Sequence, residues 1–162
     1  IEKYEEAARK IHNAGHELAN HSYNHPHVNN LSYDKNVEQI KKCSDLIKNI
    51  TGSPSTLYRG PYGEYNDTVI QASKAKNHTC IQWSIDTLDY NALTGEQMWE
   101  RIEPKLENGS IILMHNGTEN TANSLNMIIT NIKSKGYELA KVSDLIFKED
   151  YYIDNNGVQQ KQ

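Results

Sequence analysis

Ser110-Ile111-Ile112-Leu113-Met114-His115-Asn116-Gly117 is an apolar run of strand length that ends abruptly in a histidine, after which Asn-Gly turns the chain away. A short continuous apolar run bounded by turn residues reads as a buried strand. A histidine at its end stands where burial and a nearby carboxylate can tune its pKa. After it, helical spacing covers residues 121–135, a strand pattern residues 137–141 and a last helix residues 142–148. The polar tail from Glu149 reads as loosely held. Upstream, Thr94 caps a helix running to about Leu106, and residues 79–85 read as another buried strand. Asn66 or Asp67 caps a helix to about Lys76, and residues 56–59 form a short strand before the turn-rich Gly60-Pro61-Tyr62-Gly63. Ser32 or Asp34 caps a helix with Val37, Ile40, Cys43, Ile47 and Ile50 on one face, stopping at Gly52. Residues 16–20 are a further strand candidate, preceded by a helix through Ala7, Ala8, Ile11 and Ala14 that stops at Gly15. Strands alternating with helices indicate right-handed βαβ units around a parallel sheet, which closes into a barrel when the elements meet.

At 162 residues, with 36% hydrophobic and 23% charged side chains, the chain fits one ordinary globular domain. A formal net charge of -4 argues against nucleic acid as a partner, which requires clustered Lys and Arg. No apolar run approaches the roughly 18 residues of a membrane span. The first ten residues are charged and helix-like, unlike a signal peptide, and the chain does not begin with Met. Sequence upstream is therefore expected to have been lost by processing or trimming. Cys43 and Cys80 have neither a disulfide framework nor metal-ligand spacing and read as free thiols. The sequons at Asn66 and Asn116 carry little weight in a chain this rich in Asn.

The reactive side chains cluster just after strands: His21 and His25, Arg59, Asp86 and Asp89, and His115. In a parallel α/β barrel the loops after strands share one face, where active sites are built. His21-Ser22-Tyr23-Asn24-His25 sets two imidazoles four apart, a spacing common among surface histidines, but its place at a strand end favours one shared divalent cation. Arg59-Gly60-Pro61-Tyr62-Gly63 is either an ordinary turn with a surface Arg or a fixed cation on a rigid turn whose glycines let the backbone approach a ligand closely. Asp86-Thr87-Leu88-Asp89-Tyr90 can orient an imidazole or guanidinium, although capping or loop solvation is the commoner use of such a segment. His16 reads as a satisfied structural residue, and His12, His27 and His78 as surface groups.

In this order the His-Ser-x-x-His, Arg-x-Pro-Tyr, Asp-x-x-Asp-aromatic and Leu-x-His segments resemble the NodB-homology polysaccharide deacetylases, carbohydrate esterase family 4. The resemblance runs from about Ala7 to Phe147. Gly15-His16-Glu17, Tyr62-Gly63-Glu64-Tyr65-Asn66 and the run ending at Asn116 look like the peptidoglycan deacetylase and sporulation-associated branches, while chitin and xylan deacetylases share the core. The resemblance implies an α/β fold, a distorted and incomplete (β/α)7 barrel lacking its first strand, over residues 1–148, with residues 149–162 as a tail.

By the same resemblance, His21 and His25 match the histidine ligands of a divalent metal, usually zinc, with cobalt, nickel or manganese also accepted by such a set. Arg59 matches the residue that orients the catalytic base, and Tyr62, after Pro61, matches a turn residue whose backbone amide helps hold the oxyanion. Asp89 matches the carboxylate that orients and charges the catalytic histidine, and His115 matches that histidine, the general acid. Tyr90, where the family often has Trp, and Leu113 match walls of the pocket for the acetyl methyl; Asp86 is left as a structural or rim residue. The family's Thr-Phe-Asp-Asp segment, which supplies the base and the third protein ligand, is absent, and no Asp-Asp pair occurs anywhere. Both groups are expected upstream of residue 1. Loss of a core strand leaves unpaired edges, so the residues present are expected to be unstable alone.

The activity implied is metal-dependent hydrolysis of N-acetyl groups from a cell-wall glycan outside the membrane, with peptidoglycan or chitin-like oligomers as partner. The alternatives are a non-catalytic glycan-binding domain on the same scaffold, because fold does not fix function, and a zinc-stabilised interaction protein using only His21 and His25, for which two ligands are too few.

Overall fold

Helix boundaries follow local chemistry closely. In the computed structural model, which describes residues 1–162, Ser32 caps α2 (Tyr33–Thr51) by accepting the Lys35 N–H, and Gly52 ends it in the left-handed conformation at φ 74°. Asn66 caps α3 (Asp67–Lys74) by accepting the Val69 N–H. Thr94 and Gln97 form a reciprocal capping box at the start of α4 (Gly95–Ile102). The first helix, α1 (Glu5–Asn13), ends before Gly15 at φ 91°. Arg9 on α1 donates to the Ile50 carbonyl oxygen at the end of α2, tying the two helices together.

Two compact units divide the chain, residues 1–82 and 83–162. In the first, β1 (Leu57–Tyr58) pairs in parallel with β2 (Thr79–Cys80), and Asn20 makes a single parallel bridge to Tyr58. The core beneath this edge is Val28, Ile40, Tyr58, Val69 and Ala72, with Val37 and Cys80 packed against it. In the second, β3 (Ile85–Asp86) pairs in parallel with β4 (Ile112–Leu113). Its core joins Ile85 to Met98 and Ile102 of α4 and to Ile128 and Ile132 of α5 (Glu119–Ser134). Both ladders are parallel, and the strands carry helices between them, so the α/β class holds. Cys43 and Cys80 are free thiols.

Several expected elements differ. The run at residues 79–85 is not one strand: its start pairs with β1 and its end with β4, so the backbone changes partner within it. Residues 16–20 contribute only the bridge at Asn20. Residues 137–141 make no ladder; the Tyr137 N–H instead closes the end of α5 on the Ile132 carbonyl oxygen. The helix from Thr94 ends at Ile102, two residues before Pro104, and continues only as a 3-10 turn. The last helix, α6, is four residues, Val142–Leu145. The tail is not loose. β5 (Tyr151–Ile153) and β6 (Gln159–Lys161) form an antiparallel hairpin whose turn is held by Asp154, which accepts the Asn156 and Val158 N–H groups. The Gln159 side chain also bonds both backbone groups of Phe147.

Candidate active site

In the first unit, the bridge at Asn20 delivers the histidine segment to the end of β1: the Asn20 N–H donates to Leu57 O and the Arg59 N–H donates to Asn20 O, each at 3.0 Å. The Asn20 side chain, 1% exposed, donates to Ile40 O and to Ser44 Oγ and accepts the Ser22 N–H. Ser22 Oγ in turn accepts the His25 N–H at 2.9 Å. Ser22 and His25 have φ of 67° and 57°, a conformation that costs a residue with a side chain about 1–3 kcal/mol and is held only when surroundings enforce it. The bonds from Asn20 and Ser22 are that enforcement.

Nδ1 of His21 lies 2.7 Å from the Arg59 carbonyl oxygen. The carbonyl can only accept, so in the neutral ring Nδ1 carries the proton and Nε2 the lone pair. The His21 and His25 ring centroids are 5.0 Å apart at 70°. Two imidazoles on one tetrahedral cation, each nitrogen at ~2.0–2.1 Å, put their ring centres roughly 5 Å apart. This pair therefore fits a shared divalent ion, and no third His, Cys, Asp or Glu of the chain joins it.

Arg59 is half-buried, and that burial lowers the pKa of its guanidinium. Pro61 is buried, while Tyr62 stands at φ 58° and is 60% exposed as a residue. The turn closes through the Gly63 N–H on Gly60 O and the Glu64 N–H on Pro61 O. Gln82 donates to Gly63 O at 3.1 Å. His27 is exposed, as expected, but not idle. Its ring stacks on Tyr62 at 4.1 Å, and its Nδ1 meets Glu64 Oε1 at 2.7 Å. Glu64 also accepts the Asn29 N–H, and the hydrogen bond from His27, then that from Asn29, lower its carboxyl pKa. Sequence reading missed this clamp between the histidine loop and the Tyr62 turn because no local pattern pairs residues 37 apart.

In the second unit, Asp89 follows β3 and His115 follows β4. His115 Nδ1 lies 2.7 Å from Asp89 Oδ1, and the His115 N–H donates to Oδ2 at 2.6 Å. Thr121 adds its hydroxyl to Oδ2 at 2.8 Å. The Asp89 side chain is 0% exposed and the His115 side chain 42%. Burial works to raise the Asp89 pKa; the two bonds from His115 and the one from Thr121 outweigh it and hold the carboxyl below its ordinary value. Tyr90 sets its edge against the His115 ring at 5.3 Å, and the Leu113 side chain is buried. Asp86 closes a local turn on the Leu88 N–H.

Two other histidines depart from their expected roles. His78 is buried, 5% exposed, rather than on the surface: Nδ1 donates to Lys76 O at 2.6 Å, leaving Nε2 to accept from Ser44 Oγ. Burial lowers its pKa. His16, read as a satisfied structural residue, is exposed, because the backbone leaves α1 there without entering a strand.

A polysaccharide deacetylase family model matches residues 1–81, half of the chain. The chain belongs to the polysaccharide deacetylase family. It is 37% identical over 139 residues to YlxY, an uncharacterised protein of Bacillus subtilis strain 168, covering 86% of this chain and 43% of that protein. It is 28% identical over 139 residues to a peptidoglycan-N-acetylglucosamine deacetylase of Bacillus cereus, covering 83% of this chain and 50% of that one. The chain thus spans half or less of these curated relatives. Among solved structures, a family 4 carbohydrate esterase pseudoenzyme from Bacillus anthracis superposes with a TM-score of 0.85 at 29% identity, over 90% of this chain and 51% of that chain.

Proposed function

We propose that this deacetylase-family chain carries metal-binding and acid groups for hydrolysis of N-acetyl groups on cell-wall glycan. The substrate class is peptidoglycan N-acetylglucosamine or chitin-like oligomers, with release of acetate. The observation that carries the reading is a half-exposed His115 imidazole fixed on a fully buried Asp89 carboxylate. A module that only binds glycan has no use for an imidazole oriented in this way; proton transfer does.

A divalent cation held by His21 and His25, with zinc first and cobalt, nickel or manganese as substitutes, supplies Lewis acidity toward the acetyl carbonyl and acidity to water. His21 offers Nε2 because Arg59 O occupies Nδ1. The backbone N–H at Tyr62, on a turn fixed by Pro61, donates to the developing oxyanion. His115, with Nδ1 bound to Asp89, has Nε2–H as its proton-donating face and protonates the departing sugar amine. Asp89 stabilises the imidazolium before that transfer. Tyr90 and Leu113 wall the acetyl methyl. Arg59 orients the catalytic base. This reading goes with a distorted, incomplete NodB-type barrel and a location outside the membrane or in the envelope; no helix of the chain is long and apolar enough to cross a membrane.

The test is acetate release from peptidoglycan and from N-acetylglucosamine oligomers with zinc, by residues 1–162 and by the full gene product. The full product is expected to release acetate, and His115→Ala to cut turnover by roughly 10²–10⁴-fold with zinc affinity unchanged. Undiminished turnover, or equal loss of zinc, sinks the assignment. Likeness to the Bacillus anthracis pseudoenzyme favours a second reading, glycan binding without catalysis. Retained glycan binding with no acetate from the full product under any of the four metals decides for it.

A further inference from the structure

We propose that Thr121 is a positioning residue for His115, its hydroxyl fixing the Asp89 carboxylate so that Oδ1 faces the imidazole. The inference rests on the reading of His115 as the proton donor and names a residue that acts through it. Asp89 receives two of its hydrogen bonds from His115 itself, one from the backbone N–H and one from Nδ1. Those two donors move with the residue they are meant to hold. Thr121, 8% exposed and in the first turn of α5, supplies the remaining donor from a separate, packed element.

The polarity of the chain of bonds follows from its ends. An ionised carboxylate only accepts, so the Thr121 hydroxyl donates to Oδ2, and its oxygen is left to accept from the Thr118 hydroxyl beside it. Thr118, the residue before α5, has one hydroxyl proton, and the His115 carbonyl oxygen, 3.3 Å from the same hydroxyl, is its alternative acceptor. The helix terminus thus touches both the carboxylate and the backbone of the histidine. Rotation of the carboxylate about its own bond would break the Thr121 contact, which is the restraint that keeps Oδ1 on Nδ1.

The test uses the full gene product with Thr121→Val, which keeps the shape and removes the hydroxyl, and Thr121→Ser, which keeps the hydroxyl. Turnover on peptidoglycan and the low-field His115 Nδ1–H proton resonance are both read. The valine variant is expected to lose kcat on the order of tenfold at unchanged KM, from one lost charge-assisted bond, and to broaden or lose the resonance. Serine is expected to restore both. Should the valine variant fail to fold, Thr121→Ala is read in its place. A valine variant with native kcat and resonance, altered only in melting temperature, overturns the proposal, as does failure of serine to restore them. If wild type releases no acetate, the deacetylase reading falls, while the resonance still decides the role of Thr121 by the same two outcomes.

Discussion

The Arg59 carbonyl oxygen lies 2.7 Å from His21 Nδ1, so one backbone atom sets the tautomer of the neutral His21 ring. Long-range nitrogen–proton NMR of the neutral ring is expected to show His21 protonated at Nδ1. Added zinc is expected to shift the Nε2 signal of His21 and a ring nitrogen of His25 together. An Nε2–H tautomer, or zinc that perturbs His21 alone, contradicts the shared site.

Asp89 carries a pH dependence whose sign is set by its environment. Its folded pKa lies below the ordinary 3.8, despite burial, because His115 and Thr121 donate to it. A carboxyl with a depressed folded pKa contributes stability above its unfolded value and loses that contribution as pH falls through the folded value. Asp89→Asn should therefore destabilise by about 1.5–3 kcal/mol near neutral pH, the scale of a hydrogen bond to a charged group. The gap between wild type and variant should narrow as pH drops below 3.8. Urea unfolding at pH 7 and at pH 3 measures it, and a gap that widens in acid refutes the assignment.

Helices were legible because their ends are written locally: Ser32, Asn66 and Thr94 each bond a backbone N–H three residues on, and Gly52 takes the left-handed stop. Strands were legible only as places. Each parallel strand spans two residues, and what divides residues 79–85 is the choice of ladder partner, Leu57 on one side and Ile112 on the other. No periodicity encodes that choice. The same limit governs the sites. Resemblance named Asp89 and His115, which the structure brings together, but Thr121 reads in sequence as a helix-start residue and His78 as a surface group. Their partners, Asp89 and Ser44, are 32 and 34 positions away. Four of the seven non-glycine residues at positive φ, Ser22, His25, Tyr62 and Leu88, fall inside the candidate motifs. Backbone strain collects where side chains must be aimed, and sequence gives no hint of it when the residue is not glycine.

Gly60 and Gly52 separate steric from conformational need. At Gly60, φ is an ordinary -66°, but an added Cβ would lie 2.1 Å from the Glu64 carbonyl oxygen. At Gly52, φ is 74° and nothing lies within 4 Å. Gly52→Ala is expected to cost only the left-handed penalty of roughly 1–2 kcal/mol and to leave the Tyr62 turn in place. Gly60→Ala must displace backbone, so it should cost as much or more, about 1–3 kcal/mol for overpacking, and should also lower turnover of the full gene product. Denaturant midpoints and acetate release together check this. Normal turnover in Gly60→Ala would show that the turn at Tyr62 does not matter to the reaction.

Asn20 ties the interior to the histidine loop, and its amide makes a prediction that separates stability from ligand geometry. Nδ2 donates to Ile40 O and Ser44 Oγ, while Oδ1 accepts the Ser22 N–H. Asn20→Ala leaves these groups buried without their partner, at a cost of about 1–3 kcal/mol for each that water cannot reach. It also frees Ser22 to leave φ 67°, after which Ser22 Oγ no longer holds the His25 N–H. Zinc affinity should therefore fall along with stability. Ser44→Ala removes one partner of the same amide without touching the bond to Ser22. It should lower stability yet leave zinc affinity close to wild type. Calorimetric zinc titration beside urea unfolding on both variants reads the two quantities separately. Parallel loss of both quantities in Ser44→Ala would mean that the loop responds to general loosening of the core and not to the bond between Asn20 and Ser22.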